Sequence, residues 1–266
     1  MFMRSADNLA TSAIMLELIE WLISTSPGGN ITFIFNKLEE VRQVSATGIA
    51  KRKHTMSEPI DQNTFIIILE AASVEPTPLS EAVHKKMTYT DGPVIRVSDG
   101  DIVYQQSDKT NQAEHLALNA AANARLEIQH GPLTNNCNST PHILFGNTPH
   151  VIGVTIPCEH KHNFTNEGTF EHEAIRISDL HTTTKLLQQM ITDIDAPIKR
   201  NTSALLEQIY PVYRLDLQSL TSKRKLWSQS YAWALPRLQS GRLFPTNQLS
   251  ATRLRLKHIK ASIQSR

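Results

Sequence analysis

Apolar positions along this chain switch between two rhythms, short unbroken runs and a helical period, from the start to about residue 197. Residues 8–25 place Leu9, Ala13, Leu16, Ile19 and Ile23 at helical spacing, with Glu20 among them, which predicts an amphipathic helix packing on that face. Pro27-Gly28-Gly29 ends it. Ile31–Phe35 reads as a strand, and a helix is expected from Glu40 to about Lys53. Thr64–Glu70 is the strongest strand signal, a continuous apolar run of the kind buried on both faces. Pro93–Val97 predicts another strand, with Asp99-Gly100-Asp101 as the turn after it. Residues 110–127, rich in Ala and Leu, predict a long helix, and His150–Ile156 a further buried strand. Ser178-Asp179 is placed to cap a helix running to about Ile194. Strand and helix alternating in this way predict an α/β fold, a layered sheet with helices on both faces.

Charge divides the chain where that alternation stops. Residues 1–197 carry 14 Lys/Arg against 23 Asp/Glu, whereas residues 198–266 carry 13 Lys/Arg against only Glu207 and Asp216. A net +2 thus hides an acidic body and a basic tail, and predicts a domain boundary near Pro197. Two cysteines, Cys137 and Cys158, are too few for a disulfide scaffold and point to a reducing compartment. No apolar run reaches membrane-spanning length. Asp7, Glu17 and Glu20 interrupt the first apolar positions, so a signal peptide is not expected and the cytoplasm is the expected location. There is no phosphate loop, serine nucleophile elbow or dinucleotide fingerprint.

The chemistry-bearing residues gather at predicted element ends. Glu39-Glu40 follows the expected strand 31–35, where two adjacent carboxylates are costly to desolvate unless a cation or a proton-transfer role holds them. Taken alone, the pair is more simply accounted for as a helix first turn enriched in Glu to suit the macrodipole. Glu70 and the Cys158–His162 run also sit just past predicted strand ends, and Asp7 precedes a predicted helix. In α/β sheets such positions share one rim. Asp7, Glu40 and His162 supply three ligands of the type a hydrolytic zinc site uses, with Glu39 as the base and Glu70 directed to a second ion sharing Asp7. Such ion pairs stand about 3.5–4 Å apart. Cys158-x-His160-x-His162 forms a competing set, since alternate residues of a strand face one side. His142, His150 and His172 read as surface or packed histidines.

These segments have a family likeness. Asp7-Asn8-Leu-Ala-Thr-Ser-Ala13 resembles the Asp-Asn/Asp turn that opens a helix in the co-catalytic zinc aminopeptidases, and Phe33 to Val41 resembles their strand-Glu-Glu-Val signature. Ile67-Ile-Leu-Glu70, Gly92-Pro-Val-Ile-Arg-Val97 and Ile156-Pro-Cys-Glu-His-Lys-His162-Asn resemble further segments in the same order, over about residues 3–194. Asn135–Ser139, a turn by composition, falls by position at a family loop near the substrate. The best match is the glutamyl and deblocking aminopeptidases, whose members often form tetrahedral dodecamers. The resemblance implies a zinc-type peptide hydrolase with Asp7 as bridging ligand, Glu39 as general base, and Glu40, Glu70 and His162 as the other ligands. The family has an earlier segment with a His-x-Asp motif and a small dimerisation domain. This sequence starts just before the Asp-Asn turn, so the expectation is a catalytic domain without that segment, with a weak or absent second ion. Arg42 stands where the family usually has Gly and is placed to compete for a ligand carboxylate. The implied partners are a peptide substrate and either further copies of the chain or the N-terminal segment.

The resemblance stops before the tail. Residues 198–266 interleave their basic residues with Tyr210, Tyr213, Trp227, Tyr231, Trp233 and Phe244, and are expected to be a helical or partly disordered extension. No nucleic-acid-binding motif accompanies the charge, so nucleic acid is not the expected partner. The alternative to an enzyme is a non-catalytic binding or assembly protein on the same scaffold, its tail engaging an acidic partner.

Overall fold

The computed structural model describes residues 1–196 except 38, 41, 42, 53, 54, 56, 57, 75–86, 100, 101, 105–110, 134–136 and 166. Arg42, Asp101, Asn135, Asn136 and the basic tail therefore lie outside the described residues. The chain is a mixed α/β fold. Its elements run β1 (Phe2–Met3), α1 (Ala6–Thr25), α2 (Val44–Arg52), β2 (Ile66–Ala72), β3 (Val94–Asp99), β4 (Ile102–Val103), α3 (Gln112–Asn123), β5 (Gln129–Leu133), α4 (Ser139–Phe145), β6 (Val151–Pro157), a 3-10 turn (Lys161–Asn163), β7 (Glu173–Ala174) and α5 (Ile177–Thr192).

β6 is the hinge of the main sheet. It runs parallel to β2, pairing Ile66 with Val151 through Ala72 with Pro157, and antiparallel to β3. β3 also pairs in parallel with β5 and closes a short antiparallel ladder with β4. Every β6 residue is buried, as its unbroken apolar run requires of a strand covered on both faces. Ile152, Val154 and Ile156 enter the principal core with Ala71 and Ile95. Ala10, Ile14 and Leu18 of α1, Ala117 and Ala120 of α3, and Leu186 and Met190 of α5 cover that face. Val151 points the other way, into a smaller cluster with Tyr104 and Ile143 of α4. Period-two alternation along one strand thus puts helices on both faces.

β6 needs Gly153 for a local reason. A Cβ there would come within 2.7 Å of the Tyr104 hydroxyl and 2.8 Å of Arg96 Cδ. The missing side chain makes room for a buried polar group. Arg96 Nη2 meets Asp99 Oδ1 at 3.1 Å with both side chains fully buried. Asp99 also accepts the Cys137 backbone N–H at 2.8 Å, Ser139 Oγ at 2.7 Å and the Thr140 hydroxyl. Asp99 is therefore a strand residue and the centre of a buried network; the expected turn residue it is not.

Several other expectations are corrected. α1 buries Ala6, Ala10, Thr11, Ile14 and Leu18, while Leu9, Leu16 and Ile23 of the predicted face are 57%, 60% and 77% exposed. Apolar residues surround this helix, so hydrophobicity does not choose a face; the small Ala6 and Ala10 allow the close approach to the sheet. Ile31–Phe35 forms no strand: Ile31, Ile34 and Phe35 are exposed, and only Phe33 packs on the core. The following helix starts at Val44, not Glu40, after a left-handed Gln43 (φ 55°) whose N–H donates to Glu39 O. α5 starts at Ile177, and neither Ser178 nor Asp179 caps it; Asp179 is buried in its first turn.

Candidate metal centre

The centre sits at the rim where β2 and β6, being parallel, both end. α1 brings Asp7 there through a first turn in which Asp7 and Asn8 are not helical and the peptide between them is cis. The segment after β6 delivers Lys161 and His162, and the segment after residue 37 delivers Glu39 and Glu40. Ligand atoms of Asp7, Glu40 and His162 lie within 4.8 Å of one another. His162 Nε2 is 3.2 Å from Glu40 Oε1 and 3.5 Å from Asp7 Oδ2. The Asp7 carboxylate is 2% exposed, whereas His162 and Glu40 are 54% and 60% exposed, so the group has a buried floor and a solvent side. Among the described residues this is the one acid-and-imidazole cluster with such spacing.

Glu39 and Glu70 stand at the edge of the trio. Glu39 is half-buried; burial first, and the neighbouring Glu40 charge second, raise its pKa. Glu70 is 2% exposed and lies inside β2, not past its end, because the strand continues to Ala72. Burial, then the charges of Asp7 and Glu39, push its carboxyl well above the ordinary range. Its Oε1 accepts a hydrogen bond from Asn8 Nδ2 at 3.2 Å, and the same amide donates to Leu69 O at 3.0 Å. Glu39-Glu40 does not end a buried strand, since residues 31–36 form none; Glu39 is half-buried and Glu40 exposed.

Sequence reasoning missed two residues. Lys161 Nζ lies 3.0 Å from Asp7 Oδ2, its side chain 16% exposed. Burial opposes its ammonium, but Asp7, Glu70 and Glu40 outweigh that and raise its pKa. Glu173 is buried in β7, and its two oxygens accept the backbone N–H of His162 at 2.7 Å and of Asp7 at 3.1 Å. One carboxylate thus fixes both ends of the ligand pair. The β1–β7 ladder and the Glu159–Ala174 bridge bring Glu173 there, and no local motif around residue 173 signals it. His162 is held at φ 61°, a left-handed conformation costing of order 1–3 kcal/mol in a non-glycine residue. Glu173→Gln keeps one acceptor and puts an amide donor against the other N–H. It is expected to cost about 2 kcal/mol, visible as a lower midpoint in urea denaturation.

The Cys158-x-His160-x-His162 set does not form. Cys158 is fully buried, with burial pushing its thiol up to about 12, and the left-handed turn at His160 sends that ring to His172 O at 3.2 Å. His142 and His150 are packed: burial pushes His142 down to about 4, and His150 stacks on Phe65 at 5.1 Å. Beside Lys161, a cavity of about 540 Å³ is lined by Ser73, Tyr89, His160 and Phe164, with Glu159 and Glu167 at its acidic side.

Three solved structures have a similar fold. PhTET1-12s, a dodecamer in its asymmetric unit, superposes with a TM-score of 0.55 at 19% identity, over 71% of this chain and 50% of that one. A TET aminopeptidase from a marine-sediment Thaumarchaeota archaeon gives 0.50 at 18% identity, over 79% and 51%. A protein described as a peptidase/endoglucanase gives 0.50 at 12% identity, over 73% and 52%. The likeness is one of fold. The chain spans about half the length of each of these three. No family model and no curated protein matches it by sequence. Among the described residues no helix is long and apolar enough to cross a membrane.

Proposed function

We propose that residues 1–197 are the catalytic domain of a metal-dependent, aminopeptidase-type peptide hydrolase, zinc being the metal its ligands suit best, and that residues 198–266 are a basic extension. The observation that carries this reading is the meeting of Asp7, Glu40 and His162 at one rim, from segments up to 155 residues apart in the chain. Two carboxylates and one imidazole are a donor set that zinc accepts, and three protein ligands leave a position for the substrate. A bound ion there would polarise the scissile carbonyl. The chain's own groups do the rest. Glu173 holds Asp7 and His162 in register through their backbones. Glu39, outside the trio and half-buried beside it, takes a proton from the attacking water on its carboxylate and returns it to the leaving amine. The cavity beside Lys161 is of a size that holds a small ligand, and is the expected seat of the peptide's amino end. The TET aminopeptidase and the peptidase/endoglucanase of like fold support the peptide as substrate, and the dodecameric PhTET1-12s supports assembly into homo-oligomers.

The test is metal uptake and hydrolysis of aminoacyl anilides by the purified protein. Uptake of zinc with turnover that chelation removes and zinc restores is the expected result. A folded protein that takes up no divalent ion sinks the reading.

A further inference from the structure

Lys161 has no task in the hydrolytic scheme, yet its ammonium sits against the centre's buried floor, the Asp7 carboxylate. Its Nζ contacts Asp7 Oδ2 at 3.0 Å, the oxygen that also lies 3.5 Å from His162 Nε2. Asp7, Glu70 and Glu40 act electrostatically on the ammonium, and the ammonium acts on Glu39. Four carboxylates therefore share one fixed positive charge. Carboxylates crowded this closely, with Asp7 and Glu70 withdrawn from water, are stabilised by a retained proton or by a cation, and the cation present is the Lys161 ammonium.

A second metal ion would draw on Asp7 and Glu70, and the residues present do not fit it. Asp7 Oδ2 already faces an ammonium, and Glu70 Oε1 already accepts the Asn8 amide at 3.2 Å. Among the described residues, the one group of three or more ligand residues at metal spacing is Asp7, Glu40 and His162, and Glu70 joins no such group. A divalent ion brought to Asp7 and Glu70 would also stand against the Lys161 charge, 3.0 Å from Asp7 Oδ2.

We propose that Lys161 takes the place of a second metal ion: the centre binds one divalent cation, on Asp7, Glu40 and His162, and the Lys161 ammonium supplies the remaining positive charge. Asp7 then answers to one ion and one ammonium and bridges no pair of ions. Lys161 is a positioning residue that keeps the Asp7 carboxylate seated against Glu70. The inference rests on the metal reading of the trio.

The experiment is a calorimetric titration of the chelator-treated, full 266-residue protein with Zn²⁺, with metal analysis after desalting. One equivalent per chain is expected for the wild type. Lys161→Met keeps much of the stem and removes the charge, and is expected to bind its first ion at least about tenfold more tightly, because the ion no longer competes with an ammonium. Lys161→Arg keeps the charge and is expected to hold the stoichiometry at one. Two equivalents in the wild type overturn this inference and leave the metal reading standing, a result that needs no variant to fold. Unchanged affinity and stoichiometry in a folded Lys161→Met protein overturn it as well. No uptake by wild type or variant overturns both readings together.

Discussion

Glu39→Gln is expected to lower the turnover of an aminoacyl anilide by about two to four orders of magnitude, the usual contribution of a general base, with zinc uptake unchanged. The separation follows from where Glu39 sits. Its side chain is not one of the three whose ligand atoms converge, so an amide in its place leaves the donor set complete. Its backbone carbonyl accepts the Gln43 N–H at 2.8 Å, a contact that side-chain substitution leaves alone. Glu39 also lies close enough to Glu40 and Asp7 for their charges to raise its pKa, after burial, so the neutral amide relieves repulsion. The variant should therefore melt at or slightly above the wild-type temperature. Turnover, calorimetric zinc affinity and a thermal melt on one preparation check all three parts. Loss of zinc together with activity would make Glu39 a ligand, and unchanged turnover would remove it from the chemistry.

The parts of the fold legible from sequence were those in which one physical signal acts alone. β2 and β6 are continuous apolar runs, and strands covered on both faces need nothing else. α1 fails that condition: with apolar residues around its whole circumference, the buried face is decided by the small Ala6 and Ala10, and Leu9, Leu16 and Ile23 are left outside. Ile31–Phe35 has a strand's composition but no ladder among the described residues, and composition cannot supply a partner. At the candidate centre, Asp7, Glu40 and His162 were readable because their residue types belong to metal chemistry and their flanking segments to one family order. Lys161 and Glu173 were not. An ammonium paired to Asp7, and a carboxylate binding the N–H groups of residues 7 and 162, are facts of tertiary distance across 154 and 166 positions of chain. Neither leaves a local pattern.

Asp99 shows the same limit in the core, and its substitution is expected to have the largest effect on stability. Asp99→Asn is expected to cost about 3–5 kcal/mol, the range for removing one member of a buried ion pair. The amide can still accept at one oxygen, but its other end becomes a donor facing Ser139, Thr140 or Cys137, all of which donate to Asp99 in the native chain. The Arg96 guanidinium at the same time loses the carboxylate at 3.1 Å while staying fully buried. Against a total stability of about 5–15 kcal/mol for a domain, the loss is a large fraction of the whole. Arg96→Met tests which partner matters more. It leaves Asp99 with its backbone and hydroxyl donors, and it fills the space beside Gly153 with an apolar side chain, so its cost should be the smaller. Urea denaturation of the two variants beside the wild type decides the order. The consequence reaches the rim as well, because Arg96 and Glu70 interact electrostatically. The Arg96 guanidinium thus acts on Glu70, one of the carboxylates on which the Lys161 ammonium also acts. A chain with Asp99→Asn that stayed as stable as the wild type would mean that the three polar donors, not the charge of Asp99, hold the end of β3 in place.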